Sequence, residues 1–372
     1  MRPVYLDYAA TAPLLPEVRR WLTDSGFETA GNPSSLHRFG RQARMELEQA
    51  RERCAAALKA RVEEIVFTSG ATESDNLALA GALAPGDHFL VSAVEHPAVL
   101  ERARWLAREH RLEILPVDGK GLVAPEDLVR CLRPETRLVS VMWVNNELGT
   151  IQPIAALAAI CREHGVLFHV DAVQAAGFLD LAPEQLGIDL LSLSGHKLGG
   201  LGGSGLLYVR RGLRLASQLA GGGQEDRRRA GTPNLSGAAS LGLALERAAA
   251  NRATEATRLA GLKGLLERGL SRLPGALRLS GEAPHISAWR FAGLRAEGIL
   301  VRLDLEGIAA SSGSACSSHS LEPSHVLQAM GASQEEALGL VRFSLGWQSS
   351  KQDVDRLLEV LPKTLAELAV TR

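Results

Sequence analysis

The chain has 372 residues, 46% hydrophobic and 22% charged, with a formal net charge of −1. That length supports a large buried core and more than one domain, and the composition excludes a disordered or fibrous protein. A pI near 6.8 excludes a general electrostatic attraction to nucleic acid or to an anionic membrane surface. No apolar run approaches membrane-spanning length, and the opening MRPVYLDYAATAPLLP lacks the basic-then-apolar plan of a secretory signal. Cys54, Cys131, Cys161 and Cys316 stand far apart, which points to a reducing compartment, so a cytoplasmic protein is expected.

To about Pro33 the chain is mixed and loop-rich, with Asn32–Ser35 (NPSS) expected to cap the charged helical stretch 36–60. From Glu64 onward, apolar strands alternate with helices. IVFTS precedes GATESDNLALAGAL, HFLVSAVEH precedes a helix over 97–110, and LEILPVD precedes one near 125–132. RLVSVMWVNNE precedes a helix over 153–164, and VLFHVDA and IDLLSLSGHK supply two further strands. This alternation implies an α/β fold with a mostly parallel sheet covered on both faces. A long helix over 233–272 follows, and beyond Ser280 shorter strands and helices indicate a smaller α+β domain.

Ligands of such sheets collect at the carboxyl ends of strands, so the polar residues there carry the functional reading. Gly70–Ser74 (GATES) places a glycine turn and Thr72 at a helix start, where backbone N–H groups make a phosphate cradle. An ordinary helix cap is the alternative for that segment. Lys197 ends a buried strand, where desolvation favours the neutral amine that attacks a carbonyl carbon. A lysine snorkelling to solvent leaves the same local signature. His96 can stack on a planar ring or carry a proton, although a lone histidine is commonly structural. Asp171, at the end of FHVD, needs a cationic partner, and a protonated pyridine nitrogen is one. Gln174 can donate to a phenolic oxygen, and Ser194 and His196 add phosphate donors beside Lys197. A strand-end acid followed by a strand-end lysine is the pattern expected for pyridoxal 5'-phosphate.

Other motifs carry less. GLGGSG (200–205) matches the dinucleotide glycine pattern but leads into a strand, whereas that fingerprint must open a helix. Cys161, His164, His169 and Asp171 fit no standard zinc spacing, and Cys161 falls on an apolar helix face. Arg227–Arg229 reads as a solvated loop. Cys316 lies in ASSGSACSSHSLEP, a Ser/Gly-rich stretch without apolar period that reads as a flexible loop. A thiol exposed there is expected to be used, with an incidental surface cysteine as the alternative. Arg342, in VRFSLG, suits bidentate capture of a carboxylate, with a structural ion pair as the alternative.

Taken together, these stretches resemble the cysteine desulfurases of the class V, fold type I pyridoxal-phosphate family, in particular the NifS/IscS-type group. The matching stretches are YLDYAATAP, NPSSLHRFG, FTSGATESDN, VEHPAVL, VNNELGTIQP, HVDAVQ, SGHKLGG, GGGQE, RAGTPN, SSGSACSSHSLEP and VRFSLG, in order from residue 5 to residue 346. The resemblance implies a large cofactor-binding domain over 16–258 with a mostly parallel seven-stranded sheet. A smaller domain over 259–372 carries the cysteine loop, and residues 1–15 contribute to it. Lys197 is implied to form the Schiff base, Asp171 to hold the pyridine nitrogen, Gln174 to bond the ring oxygen and His96 to stack on the ring. Ala71, Thr72, Ser194 and His196 are implied to bind phosphate, and Asn146 to approach cofactor or substrate. Thr232 is implied to reach the phosphate of a neighbouring subunit, hence a homodimer, and Arg342 to take the substrate carboxylate.

The implied reaction removes sulfur from L-cysteine, leaving L-alanine and a persulfide on Cys316, with Cys316, Lys197 and His96 as catalytic residues. The sulfur then passes to an acceptor protein such as an iron–sulfur scaffold or a tRNA-thiolation carrier, with no direct nucleic-acid or membrane contact and no metal. Selenocysteine lyase and class V aminotransferase are the alternative activities. Two departures stand out: Trp347 follows VRFSLG where a basic residue is expected, and the chain ends soon after a helix over 351–367, without the longer tail by which some relatives engage the scaffold.

Overall fold

The apolar runs become strands in a computed structural model that describes residues 2–26, 31–313 and 322–370. In chain order the first elements are β1 (Val4–Tyr5), α1 (Pro16–Trp21), α2 (Arg38–Leu58), β2 (Ile65–Thr68), α3 (Ala71–Ala82), β3 (His88–Ser92) and α4 (Pro97–Leu106). There follow β4 (Arg111–Leu115), α5 (Pro125–Cys131), β5 (Thr136–Ser140), α6 (Ile154–Glu163), β6 (Leu167–Asp171), α7 (Pro183–Leu186), β7 (Leu190–Ser194) and β8 (Gly205–Val209). The rest comprises α8 (Leu235–Leu270), β9 (Ala276–Arg278), β10 (Ile286–Phe291), α9 (Ala296–Leu305), β11 (Ile308–Ala309), β12 (Ser311–Ser312), α10 (His325–Ala329), α11 (Gln334–Ala337), β13 (Leu340–Ser344) and α12 (Lys351–Val370).

The main sheet has seven strands in the order β2-β8-β7-β6-β5-β3-β4. Pairing is parallel from β7 to β4, and β8 runs antiparallel to both neighbours. Successive residues feed opposite cores. Leu138, Leu167, Leu190 and Leu207 pack under α3 and α4, while Val139, Phe168, Leu191 and Leu206 pack under α2, α6 and the first half of α8. Both faces are dry, so these strands read as continuous apolar runs and not as alternation.

A second, antiparallel sheet runs β12-β13-β10-β9, and β1 pairs in parallel with β11. Val4 and Leu6 join Leu259, Leu266, Trp289 and Phe343 in a separate core cluster. The N-terminal segment is thus sewn to the C-terminal third, including a bridge from Asp7 to Ser344. Helix α8, 36 residues long, serves both cores.

Two local expectations are corrected. The cap of α2 is His37, whose Nδ1 accepts from the Gly40 N–H at 3.2 Å, while Asn32 instead accepts from Ser34 N. Helix α4 stops at Leu106, short of His110. As expected, GLGGSG runs into β8, and Cys161 is a buried core residue. Among the described residues there is no cluster of three metal-ligating side chains, and no helix is long and apolar enough to cross a membrane.

Candidate active site

The carboxyl ends of β6 and β7 and the start of α3 enclose a cavity of about 440 Å³. Its wall is built on glycines. Gly70, with φ of 156°, turns β2 into α3, and a Cβ on Gly205 would meet the Gly70 Cα at 2.6 Å and the Leu193 carbonyl at 2.7 Å. That close approach brings Ala71 and Thr72, the first residues of a 12-residue helix, to the same wall as Ser194 and His196. Gly70 offers no side-chain cap, so the alternative reading of GATES as an ordinary side-chain cap is not met, and Ala71 and Thr72 of the first turn line the cavity.

Lys197 follows β7 in a tight turn, and its Nζ donates to the carbonyls of Ala9 and Ala10, both at 2.7 Å. Asp171, on the neighbouring strand, is 5% exposed and accepts from the Val173 N–H at 2.9 Å. Burial pushes its carboxyl up to about 6, against the pull of that N–H and of Lys197. His96 caps α4 by accepting from Ala98 N at 3.1 Å through Nδ1, so Nε2 carries the proton of the neutral ring. Burial, then Lys197 and His325, push it down to about 4. His196 is likewise pushed to about 4 by burial and then by Lys197.

Arg342 lies at the centre of β13 with its side chain 2% exposed, and it too lines the cavity. Its Nη1 donates to the Asn146 carbonyl at 2.9 Å and its Nη2 to Asp7 Oδ1 at 2.8 Å. Asn146 lines the same cavity. Gln174 donates from Nε2 to the Ala9 carbonyl at 2.9 Å, which fixes its amide orientation, and its Oε1 accepts from His285 Nε2 at 3.0 Å. One amide hydrogen of Gln174 is left to face the cavity.

Of the expected site residues, Ala71, Thr72, His96, Asn146, Asp171, Gln174, Ser194, His196, Lys197 and Arg342 therefore share one cavity. Thr232 does not line it. It lies in an adjoining cleft with Arg229, and Ser69 and Gly203 line both spaces. Cys316 lies outside the described residues. The two flanks of its segment meet at one carboxylate: Gly313 packs on Glu147, and Ser324 Oγ donates to Glu147 Oε2 at 2.5 Å.

Sequence reasoning gave no role to two buried acids, Asp75, which lines the cavity, and Glu95. Asp75 is fully buried, four residues after Ala71 on the same face of α3, with His169 Nε2 3.5 Å from its Oδ1. Burial, and then the nearness of Asp171, hold its carboxyl well above the usual range. Glu95 accepts from Ser92 Oγ at 2.5 Å and Met142 N at 2.6 Å, and burial pushes it up to about 8. His169, between Ser140 Oγ and Ser192 Oγ, is pushed down to about 3 by burial and supplies no charge. Of these acids, Asp171 is the one whose carboxyl Lys197 pulls down against burial. The only advance signal for Asp75 was its i+4 spacing from the helix start.

A doubly covered sheet with a strand-end lysine, an acid on the adjacent strand and a helix N-terminus around one cavity defines a fold type I enzyme. The chain belongs to the aminotransferase class-V family, whose pattern matches residues 4–357. The cysteine desulfurase IscS of Dictyoglomus turgidum is 44% identical over 376 residues, spanning 99% of this chain and 95% of that protein. A solved NifS-like protein aligns with a TM-score of 0.92 at 33% identity, covering 98% of this chain and 100% of that one. A solved structure of SspA in complex with cysteine aligns with a TM-score of 0.81 at 33% identity, covering 92% and 98%.

Proposed function

We propose that this chain is a cysteine desulfurase that converts L-cysteine to L-alanine and leaves the sulfur as a persulfide on Cys316. The observation that carries the proposal is the convergence of Lys197, Asp171 and Arg342 on one cavity in a chain 44% identical to a cysteine desulfurase. The family works with pyridoxal 5'-phosphate, and the residues present fit that group. The uncapped start of α3, with Ser194 and His196, suits its phosphate, and buried Asp171 suits a protonated ring nitrogen. Gln174 keeps a donor for the ring oxygen, and Lys197 Nζ stands ready for the carbonyl carbon. The bound cofactor supplies an electron sink that makes the Cα proton of the substrate acidic.

The remaining work belongs to the side chains. Arg342 holds the substrate carboxylate, Lys197 takes the Cα proton at Nζ, and neutral His96 covers the ring face. The Cys316 thiolate attacks the substrate sulfur: the S–S bond forms as the Cβ–S bond breaks, and the carbon gains a proton, so no outside oxidant is needed. Gly313, which lines the cavity, and Ser324, which flanks the Cys316 segment on its other side, both pack against Glu147, the residue after Asn146.

The same reading places Thr232 at the phosphate of a neighbouring subunit in a homodimer, its position beside Ser69 and Gly203 being compatible with that role. It divides the chain into domains at about residue 258, within α8, with residues 1–15 joined to the smaller one; the two core clusters meeting on α8 support this. The enzyme works in the cytoplasm and hands sulfur to an acceptor protein for iron–sulfur cluster assembly or tRNA thiolation. Incubation with L-cysteine and a thiol reductant tests the reading. Equal amounts of alanine and sulfide, both lost in Cys316→Ala, are expected. Undiminished alanine formation by the variant would overturn it.

A further inference from the structure

The guanidinium that is to receive the substrate carboxylate is already engaged. Arg342 has its Nε shielded from solvent with no partner among the described residues, so its usable edge is the Nη pair. Nη1 is bonded to the Asn146 carbonyl and Nη2 to the Asp7 carboxylate. An incoming carboxylate that binds bidentately needs two parallel N–H groups, and on this edge it meets the negative charge of Asp7.

The backbone of Asp7 is fixed while its side chain is not enclosed. Asp7 is bridged to Ser344, its carbonyl accepts from Tyr5 Oη at 3.2 Å, and Ala9 N donates to Ser344 Oγ at 2.9 Å. The Asp7 side chain is 20% exposed, against 2% for Arg342, so it can rotate towards water where Arg342 cannot. Two and three residues further on, the carbonyls of Ala9 and Ala10 hold Lys197. The ion pair can therefore exchange without disturbing the lysine.

Resting on the carboxylate role of Arg342, we propose that Asp7 is an intramolecular competitor for that guanidinium, displaced by the substrate carboxylate. In the absence of substrate, Asp7 neutralises a cation that would otherwise be buried unpaired, which is a costly state. A ligand that brings an amine but no carboxylate cannot replace it. Asp7 thereby weakens the binding of every carboxylate ligand by the same factor and leaves carboxylate-free amines unaffected.

The test uses the holoenzyme and L-alanine, which has the carboxylate and amine but no sulfur to transfer. Its dissociation constant is read from the change in cofactor absorbance for wild type, Asp7→Asn and Arg342→Met. Asp7→Asn is expected to bind about tenfold more tightly, equivalent to about 1.4 kcal/mol, and Arg342→Met to lose binding. Without ligand, Asp7→Asn should melt below wild type and recover more on adding acetate, a readout independent of turnover. If Arg342→Met loses binding but Asp7→Asn binds no more tightly than wild type, the competition is refuted and the carboxylate role stands. If Arg342→Met keeps full affinity, the carboxylate role itself fails. Asp7→Ser, also uncharged, carries the same expectations should Asp7→Asn not fold.

Discussion

Replacing Asp171 by asparagine should stabilise the cofactor-free protein and, on the proposed role of Asp171 at the ring nitrogen, weaken cofactor binding. Asp171 is almost fully buried, and burial lifts its carboxyl from 3.8 to about 6. A raised acid binds its proton more tightly when folded, so its contribution is complete below about pH 4 and is lost as pH rises through about 6. Two units correspond to about 3 kcal/mol, all of it forfeited by wild type at neutral pH. Asparagine never ionises, and its amide oxygen can still accept the Val173 N–H that now bonds Oδ1 at 2.9 Å. Thermal melts of the cofactor-free proteins at about pH 5 and about pH 7.5 measure the difference, and the variant should melt roughly 4 °C higher at the upper pH. Cofactor affinity, titrated in parallel, should fall. A variant that melts lower than wild type at the upper pH, or that shows the same pH slope, would refute the reasoning.

Glu95→Gln tests the deeper acid. Its contribution is complete below about pH 4.5 and lost as pH rises to about 8, so wild type should lose stability between about pH 4.5 and 8, levelling off above that, and the variant should not. Equal losses in melts across that range would count against a buried neutral acid. Gly205→Ala would set a methyl group against Gly70 and push the start of α3 outward. Overpacking of this kind costs about 1–3 kcal/mol, and pyridoxal-phosphate affinity measured by fluorescence titration should fall about tenfold or more. Unchanged affinity would mean that the close approach does not shape the phosphate cradle.

The α/β order was legible because each central strand is apolar on both faces, as Leu190 with Leu191 and Leu206 with Leu207 show. Strand-end reasoning then brought Lys197, Asp171, His96 and Asn146 to one cavity, since a parallel sheet gathers such positions whatever lies between them. The rest was hidden for identifiable reasons. Asp75 sits among Glu73, Ser74 and Asn76, a polar turn that looks solvent-facing until α3 is laid on the sheet. The carbonyls of Ala9 and Ala10 have no side-chain signature at all. The cap of α2 was misplaced because Asn and Ser are the usual cap residues, and an imidazole nitrogen accepting from Gly40 replaces them. Thr232 cannot be assigned within one chain, because its expected partner belongs to another.

Helix α8 also sets a mechanical limit. Its 36 residues make a rod of about 54 Å, and one core closes on Ala238–Leu245 while the other closes on Leu259–Leu270. Between them, residues 246–258 bury no side chain and contain neither glycine nor proline, the usual places where a helix kinks. The main sheet, with Lys197 at its carboxyl end, and the small sheet, with Arg342 on an inner strand, are thus bolted to the same strut. The span from amine to guanidinium is a length built in during folding, and on the proposed roles of Lys197 and Arg342 it is a length the substrate has to match.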